Sequence, residues 1–254
     1  MTKESIDLAA RELAAARIER RLIDRLPESC RPQGNEDALA IQRRVLELLK
    51  ENVGGWKCSL PKGEQVLAAP LPASTIRSSS PFPILTQKGM ARIEPEVAFI
   101  IGRDLRPRET AYTENDIHEA IAESRLVLEI VGARFGDPGA VTHSESLADS
   151  INNQALYVGP PVTNIFKHQL ESLTITISAP SGTLIAHSGR HPSGHPLRAL
   201  LWLTNFLSGR GETLKAGCVV TTGSYAGVLE VPLGTPLLVS YGDLGRLEVT
   251  FEKG

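Results

Sequence analysis

Cysteine is scarce in this chain: 254 residues hold three, Cys30, Cys58 and Cys218, odd in number and nowhere in a CxxC spacing. That excludes a disulfide framework and a thiolate zinc site and points to a reducing compartment, the cytoplasm. No apolar run approaches the length of a bilayer span, so no membrane partner is expected. The opening Met1-Thr2-Lys3-Glu4-Ser5-Ile6-Asp7 turns acidic too early for a signal peptide and lacks its apolar stretch. Neither sign of charge is in excess: 27 Lys and Arg face 29 Asp and Glu, a net charge of −2. The basic surplus that gives nucleic-acid or anionic-membrane affinity is therefore missing. Also missing are GxGxxG after a strand, GxxxxGK[ST] and a Gly-x-Ser-x-Gly elbow, which leaves a nucleotide cofactor and a serine hydrolase unsupported. What is present is 41% apolar and 22% charged residues, enough to bury a sizeable core in one large domain.

Residues 3 to about 25 read as one amphipathic helix with Ile6, Ala9, Leu13 and Ala16 on its apolar stripe, although Arg17 and Arg20 also fall there. A second helix is predicted from Asn35 as N-cap, with a stripe of Ile41, Val45, Leu48 and Leu49 and a stop at Gly54-Gly55. The proline- and serine-rich stretch 59–90 reads as a long irregular connection. Arg92 to Ile101 is a predicted strand. Thr113-Glu114-Asn115-Asp116 looks like a capping box opening a helix to about Arg125, and Leu126 to Val131 is a second strand. Ser144 to Val158 is expected as a further helix. Beyond it come a half-buried strand through Leu173, Ile175 and Ile177, a turn at Pro180-Ser181-Gly182, a helix from Pro196 to Gly209, and strands at 219–222, 236–241 and 246–251. Helices interrupt the strands without alternating regularly with them. The expected fold is α+β, a curled mixed sheet in one integrated domain, with residues 1–55 as a helical layer over a β-rich core at 56–254.

The chemistry concentrates in Arg92-Ile93-Glu94-Pro95-Glu96-Val97-Ala98. On a strand, Glu94 and Glu96 project from the same face, and two adjacent carboxylates need a compensating cation, either a metal or basic neighbours. Pro95 between them fits a strand edge or a sheet end. Glu129 stands within the apolar run Leu126-Val127-Leu128-Glu129-Ile130-Val131, where an unpaired carboxylate costs several kcal/mol. Three carboxylates without His or Cys make a hard oxygen set suited to Mg²⁺ or Mn²⁺. The alternative is a set of structural ion pairs with Arg92, Arg103 and Arg134. His187, His191 and His195 recur every fourth residue, but Gly189, Pro192 and Gly194 break a helical face, so they read as solvated loop residues.

The Ile93-Glu94-Pro95-Glu96-Val97-Ala98-Phe99 stretch, followed by Val127-Leu128-Glu129-Ile130-Val131, resembles the fumarylacetoacetate hydrolase-like superfamily. Gly55-Trp56-Lys57-Cys58, Ala148-Asp149-Ser150 through Asn153, Pro196 to Leu203, Leu214-Lys215-Ala216-Gly217, Thr222-Gly223-Ser224 and Gly242-Asp243-Leu244-Gly245 bring it closer to the hydratase/decarboxylase branch. That branch holds 2-hydroxypenta-2,4-dienoate (2-keto-4-pentenoate) hydratases and 4-oxalocrotonate decarboxylases. The resemblance implies a lyase in which Glu94, Glu96 and Glu129 hold a divalent metal that chelates an unsaturated 2-oxo acid and stabilises its enolate. Hydration to a 4-hydroxy-2-oxo acid is the leading reaction. Decarboxylation, tautomerisation or C–C hydrolysis, and a non-catalytic 2-oxo-acid-binding subunit are the alternatives. Lys57, with a pKa lowered by burial, and Asp149 are the implied acid/base residues, with Ser224 and Asn153 as substrate contacts. A homo-oligomer, a complex with a pathway partner and a place in aromatic catabolism are further implications. One departure stands out: no Asp or Glu occurs between Gln65 and Ile93, where the resemblance implies that hydratases of the family carry acids, and Glu64 is the nearest replacement.

Overall fold

The computed structural model describes residues 1–86 and 89–254. Two helices open the chain, α1 (Lys3–Ile18) and α2 (Asn35–Leu49). Thr2 caps α1 by accepting the Ser5 N–H, and the helix buries Ala9, Ala10, Leu13, Ala14 and Ala16. It ends seven residues before the predicted Arg25. Arg20 turns left-handed at φ 54°, and the Ile23 N–H then bonds to the Arg134 carbonyl at 2.8 Å. Gly34, not Asn35, caps α2; the Asn35 amide donates instead to the Glu64 carbonyl at 2.6 Å. The helix stops at left-handed Lys50, and Gly54-Gly55, expected as its stop, lie in the first strand. There a Cβ on Gly54 would stand 2.6 Å from the Ala73 Cα, and one on Gly55 would strike the Val219 carbonyl. The two glycines serve close backbone packing.

In chain order there follow β1 (Val53–Cys58), β2 (Ala68–Pro72), β3 (Ile76–Arg77), β4 (Phe82–Ile84), β5 (Met90–Ile101), α3 (Glu114–Ala120), β6 (Ile121–Val131), α4 (His143–Ala148) and β7 (Asn153–Pro161). The second half contributes β8 (Ser172–Ala179), β9 (Gly182–Arg190), α5 (Pro196–Gly209), β10 (Val219–Thr221), β11 (Leu229–Pro232), β12 (Leu237–Tyr241), β13 (Arg246–Val249) and β14 (Phe251–Lys253). The main mixed sheet runs β2-β1-β10-β5-β6-β7-β3, with β11 continuing beside β5; a four-stranded sheet runs β13-β12-β8-β9, and β4 pairs with β14. The α+β curled sheet with an N-terminal helical layer is the fold expected.

Three predicted elements came out differently. The Thr113–Asp116 capping box forms, but α3 ends at Ala120 and the chain passes at once into β6. Pairing with β5 from Ile121 to Ile130 outweighs the local start signal. The segment 144–158 is helical only to Ala148, after which Ser150, Ile151 and Asn152 all take positive φ before β7 begins. The 59–90 connection holds β2, β3 and β4; Pro70 and Pro72 are tolerated because β2 is an edge strand.

The core divides by sheet face. One face of β5 and β6 packs Val97, Phe99, Leu128 and Ile130 with Val239, Tyr241 and Leu247 of the smaller sheet. The other face carries a small plug of Leu71, Ala98, Val127, Leu156 and Val219 beside the acidic residues. The helices α1 and α2 close over Phe135, Leu147 and Ala148.

Candidate active site

Strand register assembles the acidic cluster. In the antiparallel β5–β6 ladder Glu94 lies directly opposite Glu129, and Glu96 follows one pleat along on the same face. Ligand oxygens of the three carboxylates fall within 4.8 Å of one another. Glu129 and Glu96 are buried, at 0% and 2% exposure, and Glu94 is half-buried. Burial first, and then the charge of Glu129, push the Glu94 carboxyl up to about 7 against the pull of Lys57 and Arg92. The same causes, with Glu94 added, push Glu96 up to about 8, although bonds from Thr221 and Gly223 oppose the rise.

Pro95 is not at an edge. The β5 ladder passes from β10, where Thr221 faces Ala98, to β11, where Leu229 faces Ile93, and the residues between bulge away as a loop. The Pro95 carbonyl accepts from the Tyr225 N–H across that gap, so its missing donor faces the same gap. The loop then turns back onto the cluster. Thr221 Oγ1 donates to Glu96 Oε2, and the Gly223 N–H donates to the same oxygen at 2.8 Å. Gly223 has φ 120°, and a Cβ there would sit 2.7 Å from Pro192 Cγ, so only glycine fits.

Lys57 enters from β1, two strands over: it is paired with Thr221, which in turn faces Ala98. Its Nζ makes an ion pair with Glu129 Oε1 and donates to the Ile151 carbonyl at 3.1 Å. Burial alone would lower its pKa, as expected, but the charges of Glu129, Glu94 and Glu96 outweigh it and the net shift is upward. Asn153 Nδ2 donates to Glu129 Oε1 at 3.1 Å, so this side chain orients a carboxylate. Ser224 lies in a turn: its hydroxyl is within reach of the Pro95 and Gly227 carbonyls at 3.3 and 3.1 Å and accepts from the Ala226 N–H.

Asp149 stands one layer behind the cluster. Its carboxylate takes the Arg134 guanidinium at 2.5 Å and backbone N–H at 2.9 Å, with Arg17 3.8 Å away. The awkward arginine on the α1 stripe thus has a buried partner, while burial and the neighbouring Arg134 hold Arg17 down to about 9. Arg134 belongs to Asp149 and Arg103 to Glu119, so neither neutralises the three glutamates. His191 is buried at 4%, not solvated: its Nδ1 accepts from the Ser193 N–H and Nε2 lies 3.4 Å from Thr222 Oγ1. Burial, helped by His195, lowers it to about 4, so it is a neutral wall residue behind the Thr222-Gly223 loop.

Among the described residues, the buried polar side-chain atoms without a partner include Glu129 Oε2, Asn153 Oδ1 and Asn152 Oδ1. Orphaned oxygens at a three-carboxylate cluster are what a hard divalent cation and its ligands would satisfy, so the donor set fits a metal. A cavity of about 410 Å³ adjoins, with Arg92, Val131 and Asn152 in its wall. These are the residues next along from Glu94, Glu129 and Asn153. Thr221 carried no sequence signal, and Gly223 and Asn152 were visible only as members of matched motifs, without a role; Thr221 and Gly223 act through a register that only the folded sheet reveals.

Among known proteins, the 2-keto-4-pentenoate hydratase 2 of Dechloromonas aromatica (strain RCB) is 26% identical over 160 residues, 63% of this chain and 60% of the hydratase. A 4-oxalocrotonate decarboxylase of Pseudomonas putida is 27% identical over 105 residues, 41% of this chain and 40% of that protein. The match therefore spans about three-fifths or less of these relatives' own lengths. The solved 4-oxalocrotonate decarboxylase from Pseudomonas putida G7, complexed with magnesium and adipate, superposes with a TM-score of 0.80 over 99% of both chains at 19% identity, which shows the shared fold. Residues 49–253 match the model of the fumarylacetoacetate (FAA) hydrolase C-terminal family, and the chain belongs to that family.

Proposed function

We propose that the protein is a metal-dependent lyase acting on unsaturated 2-oxo acids, with hydration of a 2-hydroxypenta-2,4-dienoate-type substrate as its leading reaction. The observation that carries this is the three-glutamate cluster with an orphaned buried oxygen, opposite a charged Lys57. Glu94, Glu96 and Glu129 would hold Mg²⁺ or Mn²⁺, which when bound supplies Lewis acidity at a substrate ketone. Thr221 and the Gly223 N–H fix Glu96, and Asn153 and Lys57 fix Glu129, so each inner carboxylate is aimed before ligand arrives. Lys57 Nζ holds its protons against the cluster, and we assign it proton transfer to and from the substrate chain. Asp149 is reassigned as a positioning residue: with Arg134 it holds the 149–153 turn whose Ile151 carbonyl receives Lys57. Ser224 is reassigned to the loop that carries Gly223. A second reading, 4-oxalocrotonate-type decarboxylation, is favoured by the end-to-end structural match and by the acid-free stretch 66–92.

The three buried, unpaired cysteines support a reducing, cytoplasmic setting. Exposed Leu8, Ile18 and Leu22 on the helical layer support a homo-oligomer. Among the described residues no helix is long and apolar enough to cross a membrane.

The test is loss of dienol absorbance by the Mg²⁺-loaded protein with 2-hydroxypenta-2,4-dienoate, beside Glu129→Gln. The expected result is metal-dependent turnover to a 4-hydroxy-2-oxo acid without CO₂, reduced more than roughly 100-fold in the variant, beyond what loss of an outer contact causes. Release of CO₂ from 4-oxalocrotonate with no hydration would establish the second reading. Turnover of the dienol untouched by chelator and by the variant would overturn both.

A further inference from the structure

Behind the acidic cluster, two guanidiniums share one buried carboxylate, that of Asp149. Arg134 is fully engaged. Its Nε, Nη1 and Nη2 donate to Asp149 Oδ1, the Asn153 carbonyl and the Asp149 carbonyl at 2.5, 2.7 and 2.8 Å. Arg17 arrives from α1 as the second claimant, its side chain only 12% exposed. Nη2 reaches the Asn153 carbonyl at 3.5 Å and Asp149 Oδ1 at 3.8 Å, while Nε and Nη1 meet no acceptor among the described residues. A half-used cation held next to a like charge and away from water is costly, and a second anion would relieve it.

Arg17 and Arg134 both line a cavity of about 350 Å³ where α1, α2 and β2 end. Much of its wall is apolar: Leu48 and Leu49 close the α2 stripe there, with Pro72 and Leu85. Polar neighbours are already spent. Gln154 clamps the Leu85 N–H and carbonyl at 2.7 and 3.1 Å, and Thr75 donates to the Pro72 carbonyl. Glu51, on the same wall, accepts from the Ser74 N–H at 3.4 Å and makes no ion pair with Arg17. An apolar chamber with one under-used guanidinium in its wall complements a small carboxylate that carries a hydrocarbon tail.

The chamber also backs onto the turn that serves the cluster. Arg17 and Arg134 both reach the Asn153 carbonyl, and the Asn153 side chain donates to Glu129. Asp149 anchors the turn whose Ile151 carbonyl receives Lys57.

We propose that this cavity is an effector site in which Arg17 takes the carboxylate of a small aliphatic monocarboxylate. Neutralising Arg17 removes its repulsion with Arg134, firms the 149–153 turn and so tightens metal binding at the glutamates. The binding site stands by itself; the coupling rests on the metal reading above.

The experiment is calorimetry on the full chain with hexanoate as probe, beside hexanamide, which lacks the charge, and acetate, which lacks the tail. On the metal-free protein hexanoate should bind roughly 10–100-fold tighter than hexanamide, the worth of a charge-assisted hydrogen bond. Acetate should bind at least roughly 10-fold more weakly than hexanoate, for want of buried methylenes. Arg17→Met should abolish the preference for the charged ligand. Ser74 is an exposed wall position away from the arginine pair. Ser74→Glu should weaken hexanoate by repulsion, and Ser74→Lys should not. With Mg²⁺ present, saturating oxalate, a metal chelator, should leave hexanoate binding in place. Saturating hexanoate should tighten Mg²⁺ by about 5-fold or more, and Mg²⁺ should tighten hexanoate by the same factor.

Hexanoate binding no better than hexanamide, or unchanged in both Arg17→Met and Ser74→Glu, overturns the site. Full displacement by oxalate places the ligand on the metal and overturns it too. Hexanoate binding that leaves Mg²⁺ affinity unchanged overturns the effector role. Failure of the parent to bind Mg²⁺ overturns the metal reading, and the metal-free titrations then decide the carboxylate site alone.

Discussion

Three carboxylates that share one small buried volume cannot all stay charged beside a single ammonium. Without a divalent cation the cluster holds protons: Glu94 is raised to about 7 and Glu96 to about 8, mainly by burial. A carboxyl whose folded pKa lies above its unfolded value stabilises the fold below the unfolded pKa, and that contribution is lost as pH rises through the folded pKa. The metal-free protein should therefore lose stability from about pH 5 to pH 8, as Glu94 and Glu96 are forced to ionise together. Bound Mg²⁺ reverses the sign, because ligation requires the ionised forms and displaces the protons. The expected outcome is a Mg²⁺-induced rise in Tm that is small near pH 6 and larger near pH 8, with protons released on binding in calorimetry run in two buffers. A pH-independent Tm difference would mean the glutamates are not the ligands. These residues were legible because a glutamate in an apolar strand is costly and conspicuous. Lys57 was legible only as a residue; the direction of its pKa depends on Glu129, which arrives from a distant strand.

At the scale of elements, the informative segment is the turn between α4 and β7. Ser150, Ile151 and Asn152 take φ of 57°, 52° and 60°, three successive non-glycine residues in the left-handed region. Each costs roughly 1–2 kcal/mol, so the surroundings must hold the turn. They do so through the Asp149–Arg134 pair, through the Asn152 carbonyl accepting from Gly132 at 2.7 Å, and through Lys57 on the Ile151 carbonyl. Asp149→Ala leaves Arg134 buried and uncompensated and should cost about 3–5 kcal/mol in urea unfolding. It should also lower turnover, because the turn carries the acceptor for Lys57; a loss under about 1 kcal/mol would assign the turn's rigidity elsewhere. A Thr142–Glu145 capping box does start a helix at His143, but the one expected over 144–158 ends at Ala148. Its end is set by a buried ion pair with Arg134 and Arg17 that no local periodicity reports. The same conflict shortened α3, where a sound capping box lost to nine cross-strand pairs of β6 with β5.

Over the whole molecule, the site is a product of strand order. Lys57, Thr221, Glu94 with Glu96, and Glu129 come from β1, β10, β5 and β6, strands adjacent in the sheet but separated by long stretches of chain. The sequence therefore revealed which residues are chemically awkward without showing which of them meet; the family resemblance supplied that, and Thr221 escaped it. The helical layer belongs to the same unit. Leu13 and its alanine neighbours on α1 pack with Phe135 and Leu147, and Arg17 extends from that helix to Asp149 and to the Asn153 carbonyl at 3.5 Å. Asn153 in turn orients Glu129. An unbroken chain of contacts thus joins the first helix to Glu129, a proposed metal ligand more than a hundred residues away. Deleting residues 1–19 should expose Phe135 and Leu147, release the 149–153 turn and weaken Mg²⁺ binding, even though no metal ligand is removed. The measurement is limited proteolysis with and without Mg²⁺: the full chain should gain protection at 133–153 on adding the ion, and the shortened chain should be cut there in either condition. Equal Mg²⁺ protection of both chains would show that the β-rich core supports its metal site without the helix that covers it.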